Sequence, residues 1–154
     1  MSNLKLEISM NVNELISDIN KYTTLQYAIR SRLAMLESIE RVKELVSSNM
    51  REDTGVTKAS LQTMLRGTSV DLEGVIGSND FNAKVMEFGR GENQPMPPKW
   101  AIYAWLQRHG GGDINTAFVV AKRIGIKGIP GVHMFQRAYD IAQVEVPLIW
   151  KRYF

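Results

Sequence analysis

The chain has 154 residues, of which 44% are hydrophobic and 23% charged, and it carries a net charge of +3 and no cysteine. This length and composition predict a single globular domain, residues 1–154, with a core over about residues 4–146. They exclude disulfide frameworks, cysteine nucleophiles and cysteine-ligated zinc, and the lack of cysteine fits synthesis in a reducing cytoplasm. No apolar run approaches the roughly 20 residues of a membrane span, and the first ten residues lack the apolar segment of a signal peptide.

The first elements predicted in chain order are a short strand and a long helix. Apolar residues alternate with polar ones from Leu4 to Met10, which is the period of a half-buried strand. Asn11, followed by Glu14, then forms the capping box of a helix of roughly 35 residues, about 50 Å long. Because this helix is longer than the domain needs, it either lies across its own sheet or packs part of its apolar stripe against another subunit. The stripe comprises Val12, Leu15, Ile19, Tyr22, Ile29, Leu33, Leu36, Ile39, Val42 and Val46.

A β-hairpin is predicted in the middle of the chain. Ser60 is expected to cap a short helical turn through Leu61 and Leu65, which precedes the hairpin. The first strand places Val70, Leu72 and Ile76 on one face, residues 77–80 supply the turn, and Phe81, Ala83 and Val85 alternate along the second strand.

Three shorter helices follow. Pro98 starts one that runs to about His109 with Ile102, Trp105 and Leu106 inward. Asp113 caps the next, and a last helix runs from about Val132 until Pro147 kinks or ends it. The predicted fold class is therefore α+β: a long N-terminal helix packed on a small antiparallel sheet of the hairpin and the N-terminal strand, followed by three shorter helices.

A long polar loop, residues 89–98, separates the hairpin from these helices. Loops of this length inside compact domains are uncommon and are often functional. Its "GRGENQ" stretch lacks the third glycine of a dinucleotide fingerprint and follows an antiparallel strand, so a cofactor role is disfavoured. We predict a projecting loop that contacts another subunit through Gly89, Arg90, Gly91, Glu92, Asn93, Gln94, Pro97 and Pro98.

Residues able to support catalysis are sparse. His109 and His133 are the only histidines, and neither accompanies a nucleophile-elbow or metal-binding pattern. The sequence therefore predicts no enzyme activity, catalytic residue, metal or cofactor.

The last third of the chain carries two further candidate sites. The turn from Gly125 to Gly128 resembles the Gly-x-x-Gly clamp of KH nucleic-acid-binding modules, unless Gly125 simply ends one helix and Pro130 begins the next. Basic side chains that would face DNA or an interface are Lys122, Arg123 and Lys127. The tail, residues 147–154, either packs on its own domain or a neighbouring subunit, or stacks on single-stranded nucleic acid, through Trp150, Tyr153 and Phe154.

Taken in order, these segments resemble one family, the neck and tail-completion proteins of tailed bacteriophages. The resemblance covers about Val12 to Ala142. It rests on the long helix, the strand end "VMEFG", the loop closing on "MPP", and "AFVVAKRIGIKGIPG" followed by Phe135 and Ala138.

The resemblance implies a structural virion protein that joins the DNA-filled head to the tail. Such a protein forms a ring, expected to be hexameric, between the head-closure ring and the tail tube or tail terminator. Assembly takes place in the host cytoplasm, without a membrane, and double-stranded DNA passes non-specifically through the lumen. The alternative is a nucleic-acid-binding module that uses the Gly-x-x-Gly turn and the basic C-terminal third.

Overall fold

The computed structural model describes residues 12–51, 53–68 and 71–154, with side chains from Ile16 onward. This part of the chain is α+β, as predicted, with six helices and one two-stranded antiparallel sheet. The strand predicted over Leu4 to Met10 lies outside the described residues. The elements are α1 (Val12–Ser48), α2 (Val56–Ala59), β1 (Leu61–Gly67), β2 (Leu72–Ser78), α3 (Phe81–Phe88), α4 (Lys99–Arg108), α5 (Ile114–Lys127) and α6 (Met134–Trp150).

The long helix α1 is confirmed, and its predicted apolar stripe is divided between the protein body and solvent. α1 is buried along the small residues Ser31, Ala34 and Ser38, and farther on by Leu45 and Val46. Because small side chains allow two helices to approach closely, α6 can pack against this side of α1. The C-terminal residues of the predicted stripe, Ile39, Val42 and Val46, are buried or half-buried, whereas Ile19, Tyr22, Ile29, Leu33 and Leu36 are exposed.

The hairpin exists, but its strands are displaced toward the N-terminus from those predicted. β2 contains Leu72 and Ile76 as expected, and its partner is β1, with register from Leu61 opposite Ser78 to Gly67 opposite Leu72. The segment predicted as a helical turn through Leu61 is thus a strand, in which inward residues alternate with exposed ones.

The predicted second strand is instead helix α3. Asp80 is the reason, because its side chain accepts a hydrogen bond from the Asn82 backbone N–H (3.1 Å) and caps the helix. Ala83 and Glu87, one helical turn apart, are its buried residues. The cap is held in place by Thr57, whose hydroxyl donates to the Asp80 carboxylate (2.5 Å).

Helix α6 crosses α1 and completes the core. Its N-terminus is capped by Glu87 of α3, whose carboxylate accepts hydrogen bonds from the backbone N–H groups of Phe135 (2.7 Å) and Gln136 (3.2 Å). Pro147 lies inside the helix, which continues to Trp150, so of the two predicted effects of Pro147 the end of the helix is wrong. The core where α1, β1, α3 and α6 meet consists of Leu45, Val46, Leu61, Ala83, Met134, Ala138 and Ala142.

Helices α4 and α5 form a pair beside this core. The predicted start of α4 at Pro98 and the predicted cap of α5 at Asp113 are both confirmed. Asp113 accepts hydrogen bonds from the backbone N–H and the hydroxyl of Thr116, both at 2.7 Å. These bonds hold the pKa of the Asp113 carboxyl below its usual value.

Candidate functional site

The polar loop, residues 89–98, does not project from the body as predicted. Arg90 and Ile129 exchange two backbone hydrogen bonds, from Arg90 N–H to Ile129 O (2.8 Å) and from Ile129 N–H to Arg90 O (2.9 Å). Asn93 N–H then donates to Ile126 O (3.1 Å), and Gln94 N–H donates to Gly125 O (3.0 Å). The loop is therefore tied along its length to residues 125–131, and we call the two segments together the loop–turn unit.

Glycines make this close contact possible. Gly128 has φ 68°, and a Cβ there would lie 2.1 Å from Arg90 O. Gly89 has φ 76°, and its Cβ would lie 2.4 Å from Ile129 O. The glycine of each segment thus admits the backbone of the other. Two glycine patterns that look like separate functional signals in the sequence are the two sides of one packing contact.

The predicted Gly-x-x-Gly turn is wrong for the same reason. Gly125 lies inside α5 and is buried, with Gln94 O and the Met96 backbone within 3.4 Å of the position of its Cβ. The helix ends at Lys127 rather than at Gly125, and the next begins at Met134 rather than at Pro130. The face that a KH-like clamp would offer to nucleic acid is covered by the chain's own loop.

The outer side of the loop–turn unit is polar. Glu92, Asn93 and Gln94 are exposed, whereas Pro97 is half-buried. The Arg90 guanidinium turns back and donates to Pro95 O, which braces the loop from within. What the structure leaves for another molecule is a short polar ridge on a fixed backbone. Its contact with another subunit stays a prediction.

The predicted basic residues lie along one helix. Lys122, Arg123 and Lys127 are all exposed on α5. Val119 and Ile126 are also exposed, at 63% and 53%, and fall between them on the same side of the helix. The result is a mixed basic and apolar strip rather than a purely cationic one.

The C-terminal tail packs on its own chain, which is one of the alternatives left open by the sequence. A contact of the tail with a neighbouring subunit stays a prediction. The Tyr153 hydroxyl donates to Glu37 of α1 (2.7 Å), and this hydrogen bond raises the pKa of the hydroxyl. The ring of Phe154 lies 5.2 Å from that of Tyr27 and 6.0 Å from that of Trp150. The tail therefore fastens the end of α6 to α1.

Beyond this attachment, α1 extends away from the body. Residues 16–25 are all exposed, a length of about 15 Å at 1.5 Å per residue. Apolar residues spaced by three or four positions occupy one side of α1, opposite the side that packs on α6. We call this side the outer face of α1. Its residues, 44% to 66% exposed, are Ile19, Tyr22, Leu25, Ile29, Leu33 and Leu36.

A second apolar feature, which the sequence did not indicate, is a groove of about 550 Å³ between β2 and α6. Its floor is α1, at Met35, Ile39 and Val42, and its walls include Ile76 of β2 and Tyr139 of α6. We call it the β2–α6 groove. Gly74 lets β2 pack closely on α1, since a Cβ there would lie 2.6 Å from the Ile39 side chain. A glycine interrupting an alternating strand was the only sequence signal of this close approach.

The histidines occupy structural positions. The Nδ1 atom of His109 lies 3.0 Å from Trp105 O, its ring stacks on Trp105, and its Nε2 atom lies 3.7 Å from Asp53. Arg108 donates to the same carboxylate and, more than any other group, holds the pKa of Asp53 below its usual value. His133, with φ 56°, precedes α6. Among the described residues, no three His, Asp or Glu side chains are placed to hold a metal ion.

Comparison of the chain with protein-family models, with curated proteins and with solved structures finds no match. Within the described ranges, no helix has both the length and the apolar character needed to cross a lipid bilayer.

Proposed function

We propose that this chain is a structural protein of a tailed-bacteriophage virion, a neck or tail-completion ring subunit that joins the DNA-filled head to the tail. The observation that carries the proposal is the outer face of α1. The outer face belongs to the long helix, which is one of the segments on which the sequence resemblance rests. A contact of this face with a neighbouring subunit would explain why the helix is longer than the domain needs.

The outer face is large for a protein that remains a monomer. Six apolar side chains follow one another along a helix, each at least 44% exposed, and contiguous apolar patches of this kind mark interaction sites. Since the tail and α6 already cover the opposite side of α1, the outer face is available to a neighbour. Assembly by protein–protein contact accounts for it, whereas a catalytic role does not require it.

A closed ring needs two different faces on each subunit. Helix α6 offers the second, a patch 41% to 67% exposed with spacings of three and four residues, formed by Ile141, Val144 and Leu148. In the proposed ring, the outer face of α1 in one subunit packs on this patch in the next. The polar ridge at Glu92, Asn93 and Gln94 contacts the head-closure ring or the tail.

Double-stranded DNA crosses such a ring without being held. The strip on α5 suits this passage, because apolar side chains interrupt Lys122, Arg123 and Lys127 and limit the number of phosphates that can be neutralised together. The protein is located at the head–tail junction of the virion, which is assembled in the host cytoplasm.

The test is complementation in a tailed phage that encodes the chain. Deletion of the gene is expected to leave DNA-filled heads and finished tails unjoined in electron micrographs. A plasmid copy with Ile29→Asp and Leu33→Asp should fail to restore joined particles, because two carboxylates in the interface oppose packing. Thr24→Asp, which adds a charge on another side of the same exposed part of α1, should restore them. Joined, infectious particles after the deletion would overturn the proposal.

A further inference from the structure

The β2–α6 groove lies along a sheet edge that is unpaired within the described part of the chain. Among the described residues, β2 pairs with β1 alone. Among the described residues that line the groove, β2 supplies Gly74 and Ile76 and β1 supplies none, so the free edge of β2 borders the groove. Such an edge presents unpaired N–H and C=O groups and is a template for another strand.

The sheet is also incomplete by ordinary standards. Two-stranded sheets are marginally stable alone and generally need a third strand or a packed helix. Here α1 covers one face, while the space between β2 and α6 stays open above an apolar floor of Met35, Ile39 and Val42. An extended segment with apolar residues on one side would pair with β2 and cover this floor at the same time.

The chain contains one segment with this pattern outside the described part. From Leu4 to Met10, apolar residues alternate with Lys5, Glu7 and Ser9. These seven residues equal the seven of β2 in number. On the edge of β2, the apolar set would face the floor on α1 and the polar set would face solvent.

This segment cannot fill the groove of its own subunit. α1 runs about 35 Å from Val12 to Met35, where the floor begins, at 1.5 Å per residue. Residues 4–11, fully extended, reach only about 26 Å. Residues 16–25 of α1 are all exposed, so a segment attached to this end of the helix can reach a neighbouring copy.

We propose that the β2–α6 groove binds residues 4–10 of a second copy of this chain, added as a third strand to the free edge of β2. The inference rests on the proposed function insofar as ring assembly supplies the second copy. Each subunit then gives a strand to one neighbour and receives one from the other, a heterologous contact that repeats around a closed ring.

The experiment measures binding of a fluorescent peptide, Met1 to Asn11, by anisotropy. The receptor is the full chain with Leu6→Asp and Ile8→Asp, which leaves its groove intact and prevents its own N-terminus from competing. We expect saturable binding of the natural peptide. A peptide with Leu6→Asp and Ile8→Asp should bind at least tenfold more weakly, whereas one with Lys5→Asp and Ser9→Asp should bind like the natural peptide.

A second comparison locates the site on the receptor. Tyr139→Asp places a charge in the groove and should weaken binding at least tenfold. Gln136→Asp makes the same kind of change at an exposed residue of α6 that does not line the groove, and it should leave binding unchanged. Absence of binding, or equal binding to all peptides or to both receptors, would overturn the inference.

The two proposals fail separately. A peptide that does not bind, together with the expected complementation results, would remove the strand exchange and leave the ring function. A peptide that binds as expected, in a phage whose heads and tails join without the gene, would remove the ring function and leave the strand exchange.

Discussion

At the scale of single residues, the loop–turn unit depends on backbone atoms that occupy the positions of missing side chains. Gly131 repeats what Gly89 and Gly128 show, since its Cβ would lie 2.5 Å from Glu87 O. Backbone carbonyls cannot turn aside as a flexible side chain can. The three glycines therefore determine whether the loop can lie on the α5–α6 connection at all.

Gly128→Ala tests this dependence. The native φ of 68° is unfavourable for alanine by about 1–2 kcal/mol, and the clash with Arg90 O, only 2.1 Å from the new Cβ, adds to that penalty. We expect the free energy of unfolding, measured with urea and circular dichroism, to fall by about 2 kcal/mol or more. Gly77→Ala is the matched control, because nothing lies within 4 Å of its Cβ. Equal stability of the two variants would contradict this account of the contact.

At the scale of elements, the sequence predicted correctly those helices that are determined by residues close to one another in the chain. The periodicity of α1 and the caps at Pro98 and Asp113 depend on neighbouring residues, and those helices are confirmed. The predicted position of the hairpin was wrong because apolar and polar residues alternate in "FNAKV" as they do in a strand. In the structure, the Asn82 backbone N–H donates a hydrogen bond to the Asp80 side chain, and this cap starts a helix there. Leu61 begins a strand that also contains Leu65, and the partner of this strand lies farther along the chain.

The buried side of α1 and the loop–turn unit could not be predicted in the same way. Ser31 and Ser38 are buried because α6 approaches them, and a search for apolar residues passes over serine. The contact between Arg90 and Ile129 joins residues from distant parts of the chain. The glycine spacing within each of the two segments can be read from the sequence. That the two segments contact each other is known only from the fold. The predicted loop therefore had the right residues, but it lies against residues 125–131 instead of projecting from the body.

The pairing of α1 with α6 yields a prediction about acid. Arg41 donates to both oxygens of Glu145 (2.7 and 3.2 Å), and this hydrogen bonding lowers the pKa of the Glu145 carboxyl below its ordinary 4.5. A lowered pKa in the folded state means that the unfolded state binds the proton more readily. The stability from this pair is present above pH 4.5 and is lost as the pH falls through the lower, folded value.

Glu145→Gln is expected to destabilise the protein modestly at pH 7, and the difference from the natural chain should shrink as the pH falls below 4.5. Urea unfolding at a series of pH values measures it. Asp53 and Asp113 also have lowered pKa values and continue to weaken both proteins in acid. The contribution of Glu145 is therefore given by the difference in the free energy of unfolding between the two proteins at each pH, and not by the pH dependence of either protein alone. A difference that does not change with pH would contradict the assignment.

At the scale of the whole molecule, the candidate binding surfaces fall into two chemical classes, apolar and polar. The apolar surfaces, which are the outer face of α1 and the β2–α6 groove, suit permanent contacts between copies. The polar ridge at Glu92 to Gln94 and the mixed strip on α5 suit contacts that form and release. The net charge of +3 is too small for the whole surface to attract nucleic acid strongly. A ring that lets DNA pass and a module that holds nucleic acid therefore differ in a measurable quantity.

Salt dependence of DNA binding separates these two functions. If only Lys122, Arg123 and Lys127 contact phosphates, the slope of log K against log salt should be no steeper than about −3, and the Kd at physiological salt should be about 10⁻⁴ M or weaker. We expect such weak binding to short duplexes, measured by fluorescence anisotropy between about 50 and 200 mM salt. Lys127→Glu should make the slope shallower by about one unit, whereas the control Lys21→Glu on the exposed part of α1 should leave it unchanged. A steep slope that Lys127→Glu abolishes and Lys21→Glu preserves would instead identify α5 as a nucleic-acid-binding surface, because only a site that neutralises many phosphates together releases that many counterions.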